Sequence, residues 1–341
     1  MALKVAVSLT FFLFGTLTAV FAYLMVRKRR ENRRQAALRA GKEQLRLPLL
    51  RYLLGDEEQP PWPASLLERE ALLELLDDFA ALLKGEQVQA RIRAFAEEYF
   101  EGWLRRRLAS RHWGERMNAL FFIEDLQMKA LLADIERLYR SRIATKGEVV
   151  KILTIFAKFD YRSVVVYVLQ PKHELTEFAY RVIFGHMSER LLQQVKRRFT
   201  ELPPAGQYAL IDIIGIRRRQ EQSFLQERLA SEELEIRVRA LKAMAEIGAP
   251  LHARQLAHHL SSPHWQERLM AARLAGRCRE ERLLPLLYER LSDRSFAVRA
   301  EAAAALARLP DGRIALNRAA QQADDRYARD MARQWLEGGE G

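Results

Sequence analysis

Between residues 236 and 309 the chain repeats itself on a step of 31 residues, and few folds accommodate such a step. Arg237, Arg268 and Arg299 mark the register, and an alanine follows each at three residues: Ala240, Ala271 and Ala302. Stretches rich in small and apolar residues come next, at 241–248, 272–278 and 303–309. The second half of each unit keeps the step, with Leu225, Leu256 and Leu287 in one apolar column and Leu229, Leu260 and Leu291 in another. A unit of two short helices cannot bury its apolar stripe alone, and stacking like units buries it. Register, alanines and leucine columns together predict an all-α chain, an α-solenoid.

The segments Ile236-Arg237-Val238-Arg239-Ala240 and Val298-Arg299-Ala300-Glu301-Ala302 resemble the HEAT-repeat family, and the short unit is similar to the HEAT-like repeats of phycobilisome lyases. Glu267-Arg268 lacks the β-branched residue of the pattern, and Ala328-Arg329 with Ala332 supplies a fourth match. The family often carries Asp shortly before the Arg. Only Asp293 fills that place, against Ser231 and Ser262, which puts a continuous hydrogen-bond ladder through such aspartates in doubt. The resemblance implies about 7–8 HEAT-like helix pairs whose second helices line a concave docking face. It says little about activity, because function resides in sites grafted on folds.

An echo carries the array back toward the N-terminus. His112-Trp113-Gly114-Glu115-Arg116-Met117-Asn118-Ala119 matches His264-Trp265-Gln266-Glu267-Arg268-Leu269-Met270-Ala271 at an offset of 152 residues, close to five steps. Intervening pairs are expected near 115–140, 146–169, 174–199 and 205–229. Longer helices at 66–83 and 86–108 suit a terminal unit covering an open end. The β-branched run 163–169 reads as a strand in isolation, yet it falls where a second helix is due, so a helix is expected. Residues 324–336 read as a closing half-repeat.

Residues 5–26 form a run of 22 without a charged side chain, long enough to span a hydrocarbon core of roughly 30 Å. Arg27, Lys28, Arg29 and Arg30 follow at once, which favours an uncleaved transmembrane helix over a signal peptide. The excess of cations after the run predicts a single-pass protein in the cell membrane, N-terminus outside and C-terminal domain cytoplasmic. Arg27, Lys28, Arg29, Arg30, Arg33 and Arg34 are then expected against anionic headgroups at the membrane surface. The expected domains are a membrane helix at 1–26, a basic segment and Pro-rich hinge at 27–64, and the solenoid at 65–337, clearest over 231–337. Of the net charge of +12, +8 falls on residues 1–46, leaving +4 for the remainder, so no nucleic-acid-binding face is expected.

Chemistry-bearing motifs are sparse. His252, His258 and His259 form the one histidine cluster, without Cys, Asp or Glu in the segment to complete a metal site. The single Cys278 lies in an apolar repeat column and reads as a buried thiol. No catalytic residues, cofactor or metal are expected, and a surface is left. The 31-residue step aligns Arg228, His259, Arg290 and Gln321 in one polar column and Glu227, His258 and Glu289 in the next, the candidate partner-binding positions. The function expected is a membrane-anchored scaffold or adaptor holding a protein partner. One alternative is a lyase-like enzyme, which requires His258, His259 and Cys278 to converge. The other is a lipid- or nucleic-acid-binding sensor built on the basic segment.

Overall fold

The computed structural model describes the backbone of residues 2–217 and 221–338, with side chains from residue 12 onward. It divides into two compact units, residues 1–148 and 149–341. Among the described residues every regular element is a helix.

The first unit begins with α1 (Ala2–Leu54) and continues through α2 (Leu66–Leu82), α3 (Glu86–Leu108), α4 (Trp113–Asp125) and α5 (Leu132–Arg140). Leu38, Leu45, Leu49 and Leu53 are buried at near-heptad spacing, and α1 packs along α2 and α3. Gly41 permits the approach, since a Cβ there would stand 3.3 Å from that of Ala71. Pro48 removes one i→i−4 bond, yet α1 runs through it because burial of the flanking leucines holds the turn. Ion pairs reinforce the same face: Arg34 with Glu70 at 2.7 Å, and Lys42 with Glu74 at 3.0 Å and Asp78 at 3.1 Å. The segment 55–63 is therefore the turn between two packed helices. Ser65 caps α2 by accepting from the Glu68 amide, and Glu68 returns a bond from the Ala64 amide.

Among the described residues no helix is long and apolar enough to cross a membrane. This corrects the expected single-pass placement with the N-terminus outside and the C-terminal domain cytoplasmic. Arg27 begins a charged stretch within the same continuous helix, directly after the apolar run. The side chains of residues 5–11 lie outside the described residues. Arg27, Lys28, Arg29, Arg30 and Arg33 are exposed, whereas Arg34 is engaged by α2.

Helix α6 (Lys146–Lys158) carries the division between the units. The second unit continues as α7 (Ser163–Leu169), α8 (Glu177–His186), α9 (Glu189–Arg197), α10 (Pro204–Ile216), α11 (Gln222–Arg228), α12 (Leu234–Ile247), α13 (Ala253–Leu260), α14 (Trp265–Cys278), α15 (Leu284–Arg290), α16 (Phe296–Ala307), α17 (Gly312–Gln322) and α18 (Arg326–Gly338). From α8 onward these are helix pairs stacked in sequence order, a solenoid-like arrangement closed by α18. The β-branched run is helical as expected: Val164, Val165 and Val168 are buried in α7, and packing overrides strand propensity. Helix α12 ends where Gly248 takes φ +70°, and the next amide, of Ala249, returns to the Met244 carbonyl.

The repeat alanines Ala240, Ala271 and Ala302 are fully buried. They lie on first helices that pack directly on one another, α8 on α10, α10 on α12, α12 on α14 and α14 on α16. Small residues set this spacing. A Cβ at Gly215 would stand 3.1 Å from the Ala243 Cα, and one at Gly276 only 2.6 Å from the Ala305 Cα. The second helices pack mainly on the first helix of the next pair, α11 on α12, α13 on α14, α15 on α16 and α17 on α18, and little on one another, so the first-helix layer is the tighter of the two.

Candidate docking surface

The arginine that opens each repeat is spent inside the stack. Arg237 Nη1 donates to the Ser231 and Glu232 carbonyls at 2.8 and 2.9 Å, while Nε and Nη2 grip Glu267 at 3.0 and 3.2 Å. Arg268 repeats the arrangement on the Ser262 and Pro263 carbonyls and on Asp293, at 2.6 and 2.8 Å. In the first unit Arg116 does likewise with the Ser110 and Arg111 carbonyls and Glu148. Arg299 keeps the carbonyl contacts, to Asp293 and Arg294. The ladder is thus carried by more than the aspartate position. Where Ser262 stands in place of that aspartate, Glu267 in the first turn of α14 supplies the carboxylate to Arg237.

Glu267 gathers three partner side chains. Besides Arg237 it accepts from the Ser262 hydroxyl at 2.7 Å and stands 2.7 Å from His259 Nδ1. Burial pushes its pKa up, but the bonds from Arg237, Ser262 and His259 outweigh burial and hold it at about 2. An ionised carboxylate only accepts, so the proton lies on His259 Nδ1. His259 is accordingly buried, 5% exposed, and not part of a solvated column.

The other expected partner-binding positions divide. Arg228 lies over the rings of Phe199 and Phe224, 4.4 and 4.3 Å from their centroids, and also pairs with Glu227. Arg290 pairs with Glu289 at 3.5 Å and approaches Asp293 at 3.9 Å. Gln321, Glu227, Glu289 and His258 are exposed. Both arginines of that set, and His259, are therefore committed to intramolecular contacts.

His258 and His259 are neighbours, with ring centroids 5.5 Å apart. Cys278 stands at the far end of α14 from Glu267, about 16 Å along the axis at 1.5 Å per residue, with its Sγ 3.5 Å from the Ala249 carbonyl. These three side chains do not converge, which ends the lyase-like constellation that needed them. Burial raises the Cys278 thiol pKa, the opposite of activation. Among the described residues no group of three or more His, Cys, Asp or Glu is placed to hold a metal ion.

The first-helix layer presents a different surface. Arg239 on α12 reaches past α10 to Glu177 on α8, with bonds of 2.9 and 3.2 Å, and binds Asp212 on α10 at 2.6 Å. Arg181 joins from α8, 3.1 Å from Glu177 and 3.4 Å from Asp212. Burial raises the Asp212 pKa, opposed by Arg239, Lys242 and Arg181. Replacing Arg239 with alanine is expected to raise amide exchange in α8 and α12 and to cost about 1–2 kcal/mol in denaturant unfolding, as for one partly buried charged hydrogen-bond set.

Beside this network lies a cleft of about 310 Å³, bounded by Asp212, Ile216, Lys242 and Glu246, and next to it one of about 220 Å³, bounded by Glu246, Arg273, Arg277 and Arg308. Ile216 is 67% exposed at the first cleft. Glu246, Arg277 and Arg308 stand on the 31-residue step, as do Lys242 and Arg273. Reading the step along first-helix polar positions, as well as second-helix ones, would have found this surface.

A search of curated proteins finds no match. Among solved structures, an engineered protein aligns at 13% identity over 82% of this chain and 87% of its own, with TM-score 0.37. Kap121p bound to Pho4p aligns at 11% identity over 85% of this chain and 41% of its own, with TM-score 0.49. Human deoxyhypusine hydroxylase in complex with glycerol aligns at 19% identity over 72% of this chain and 97% of its own, with TM-score 0.30. At these scores and identities none bears weight on function. The family described as HEAT repeats matches residues 253–337, the segment α13 to α18, and gives the helix pairs of that segment their name.

Proposed function

We propose that the protein is a HEAT-repeat adaptor that binds a protein partner along its first-helix face, centred on α10, α12, α14 and α16. The supporting observation is the exposed charged column of Glu246, Arg277 and Arg308, with Lys242 beside it, lining two adjoining clefts, the first of which also holds Ile216. An exposed apolar residue rimmed by ordered charges is how a docking patch differs from a uniformly solvated face. On the second helices, Arg228, His259 and Arg290 are drawn into internal contacts, leaving Glu227, His258, Glu289 and Gln321 as the exposed remainder. The binding mechanism is shape and charge presented by a rigid stack, with no catalytic role assigned to any side chain.

The test places a photo-crosslinking amino acid at Lys242 or Arg277, and separately at Glu289 or Gln321, in cells that make the protein. The expected result is one partner crosslinked from the first pair and not from the second. Crosslinks from the second pair alone, or from neither, overturn the reading.

A further inference from the structure

The charges that wall the two clefts of the first-helix face differ in what they already hold. Arg181, Lys242, Arg273, Arg277 and Arg308 stand against Asp212, Glu246 and Glu301, five cations to three carboxylates. Asp212 is taken up by Arg239 and approached by Arg181. Glu301 is taken up by Arg273 at 2.8 Å. The bond to Glu301 and, behind it, the nearby charge of Glu246 raise the Arg273 pKa. Arg277 and Arg308 are different. Both are exposed, both line the second cleft, and among the described residues nothing accepts a hydrogen bond from either guanidinium.

The fold sets these two arginines side by side. Arg277 lies in the last turn of α14 and Arg308 at the C-cap of α16, one 31-residue step apart. One residue before Arg277, Gly276 lets the two backbones meet, since a Cβ there would lie 2.6 Å from the Ala305 Cα. Helices in such contact stand about 8 Å apart, so two guanidiniums on long stems open on one cavity of about 220 Å³. Like charges so close repel, and an anion between them relieves the repulsion. Each fork presents parallel donors that match a carboxylate, and inside this stack the same fork grips Glu267 and Asp293. The cavity is smaller than the roughly 300–1,000 Å³ of small-molecule pockets, which suits the side chain of a docked segment better than a free metabolite.

We propose that the partner of the first-helix face docks through an acidic segment, whose aspartate or glutamate carboxylates are bound by Arg277 and Arg308. Lys242 on α12, exposed at the first cleft, extends the basic track. The inference rests on the docking surface proposed above and adds the chemistry of what binds there.

The probe is an acetylated, amidated hexaglutamate peptide carrying a fluorophore, with hexaglutamine as control. Each is titrated with the full chain and read by fluorescence anisotropy at about 0.15 M salt. The expected result is saturable binding of hexaglutamate and none of hexaglutamine. Arg277→Gln with Arg308→Gln should weaken that binding by about tenfold or more, as two sets of charged hydrogen bonds are lost. Arg27→Gln with Arg30→Gln removes equal charge from exposed arginines of α1 and should leave it unchanged. Absence of saturable binding, equal binding of hexaglutamine, or equal weakening by the two variant pairs overturns the proposal. Crosslinking from Lys242 leaves both arginines in place, so the docking surface and the acidic partner fail separately: crosslinks without charge-dependent peptide binding strike only the second.

Discussion

Replacing Glu148 with alanine is expected to destabilise the first unit by about 3–5 kcal/mol, the scale for leaving one member of a buried ion pair without its partner. Glu148 is fully buried and Arg116 is 3% exposed. Their bonds measure 2.6 and 3.2 Å, and the Thr145 amide and hydroxyl each add one at 2.8 Å. Without the carboxylate, Arg116 keeps only loop carbonyls and remains a buried cation. The double variant Arg116→Met with Glu148→Leu is expected to recover most of the loss, because two apolar side chains of similar size leave no charge unpaired. The readout is denaturant unfolding with amide exchange in α4 and α5. Equal losses in the single and double variants would show that packing volume, not the charge pair, carries the effect.

The same pair gives a pH dependence of definite sign. Burial alone would raise the Glu148 pKa, but Arg116 and the two Thr145 bonds outweigh it and hold it below the ordinary 4.5. A carboxylate whose folded pKa is depressed stabilises the fold above the unfolded value, and that contribution disappears as pH falls through the folded one. Acid unfolding of the first unit should therefore begin below about pH 4.5, and Glu148→Ala should flatten that part of the curve.

Gly276→Ala is expected to cost about 1–2 kcal/mol, although alanine is the better helix former by roughly 1 kcal/mol. The new Cβ would lie 2.6 Å from the Ala305 Cα and 2.8 Å from its Cβ, so the main chain of α16 has to move. Overpacking against backbone outweighs the propensity gain. Adding Ala305→Gly should restore only part of the stability, since the clash with the main chain at residue 305 remains. A more stable Gly276→Ala variant in urea unfolding would mean that α14 and α16 are further apart than found here.

Much of the repeat was legible because burial imposes period and residue size. Ala240, Ala271 and Ala302 stand where first helices touch, and the leucine columns where each pair closes. The helicity of α7 followed from position in the array, against its local propensity. What escaped was set by side chains reaching between turns. His259 shares a step position with Arg228 and Arg290, yet it is buried because Glu267, eight residues on across the loop, bends back to it. The network of Glu177, Asp212 and Arg239 falls on no constant step, its members being 35 and 27 residues apart, because turns of unequal length offset the helices that bring them together. At the N-terminus, Gly41 and Pro48 are helix-breaking residue types inside a helix that leucine packing against α2 keeps whole.

The bond from Arg239 to Glu177 changes how the second unit can come apart. In a stack joined only between neighbours, each pair can fray independently and opening spreads one repeat at a time. A contact over 62 residues, with Asp212 held beneath it, ties α8, α10 and α12 into one block. Breathing of that stretch is then all three helices or none, so a partner lying across them meets a surface whose spacing is fixed before it arrives.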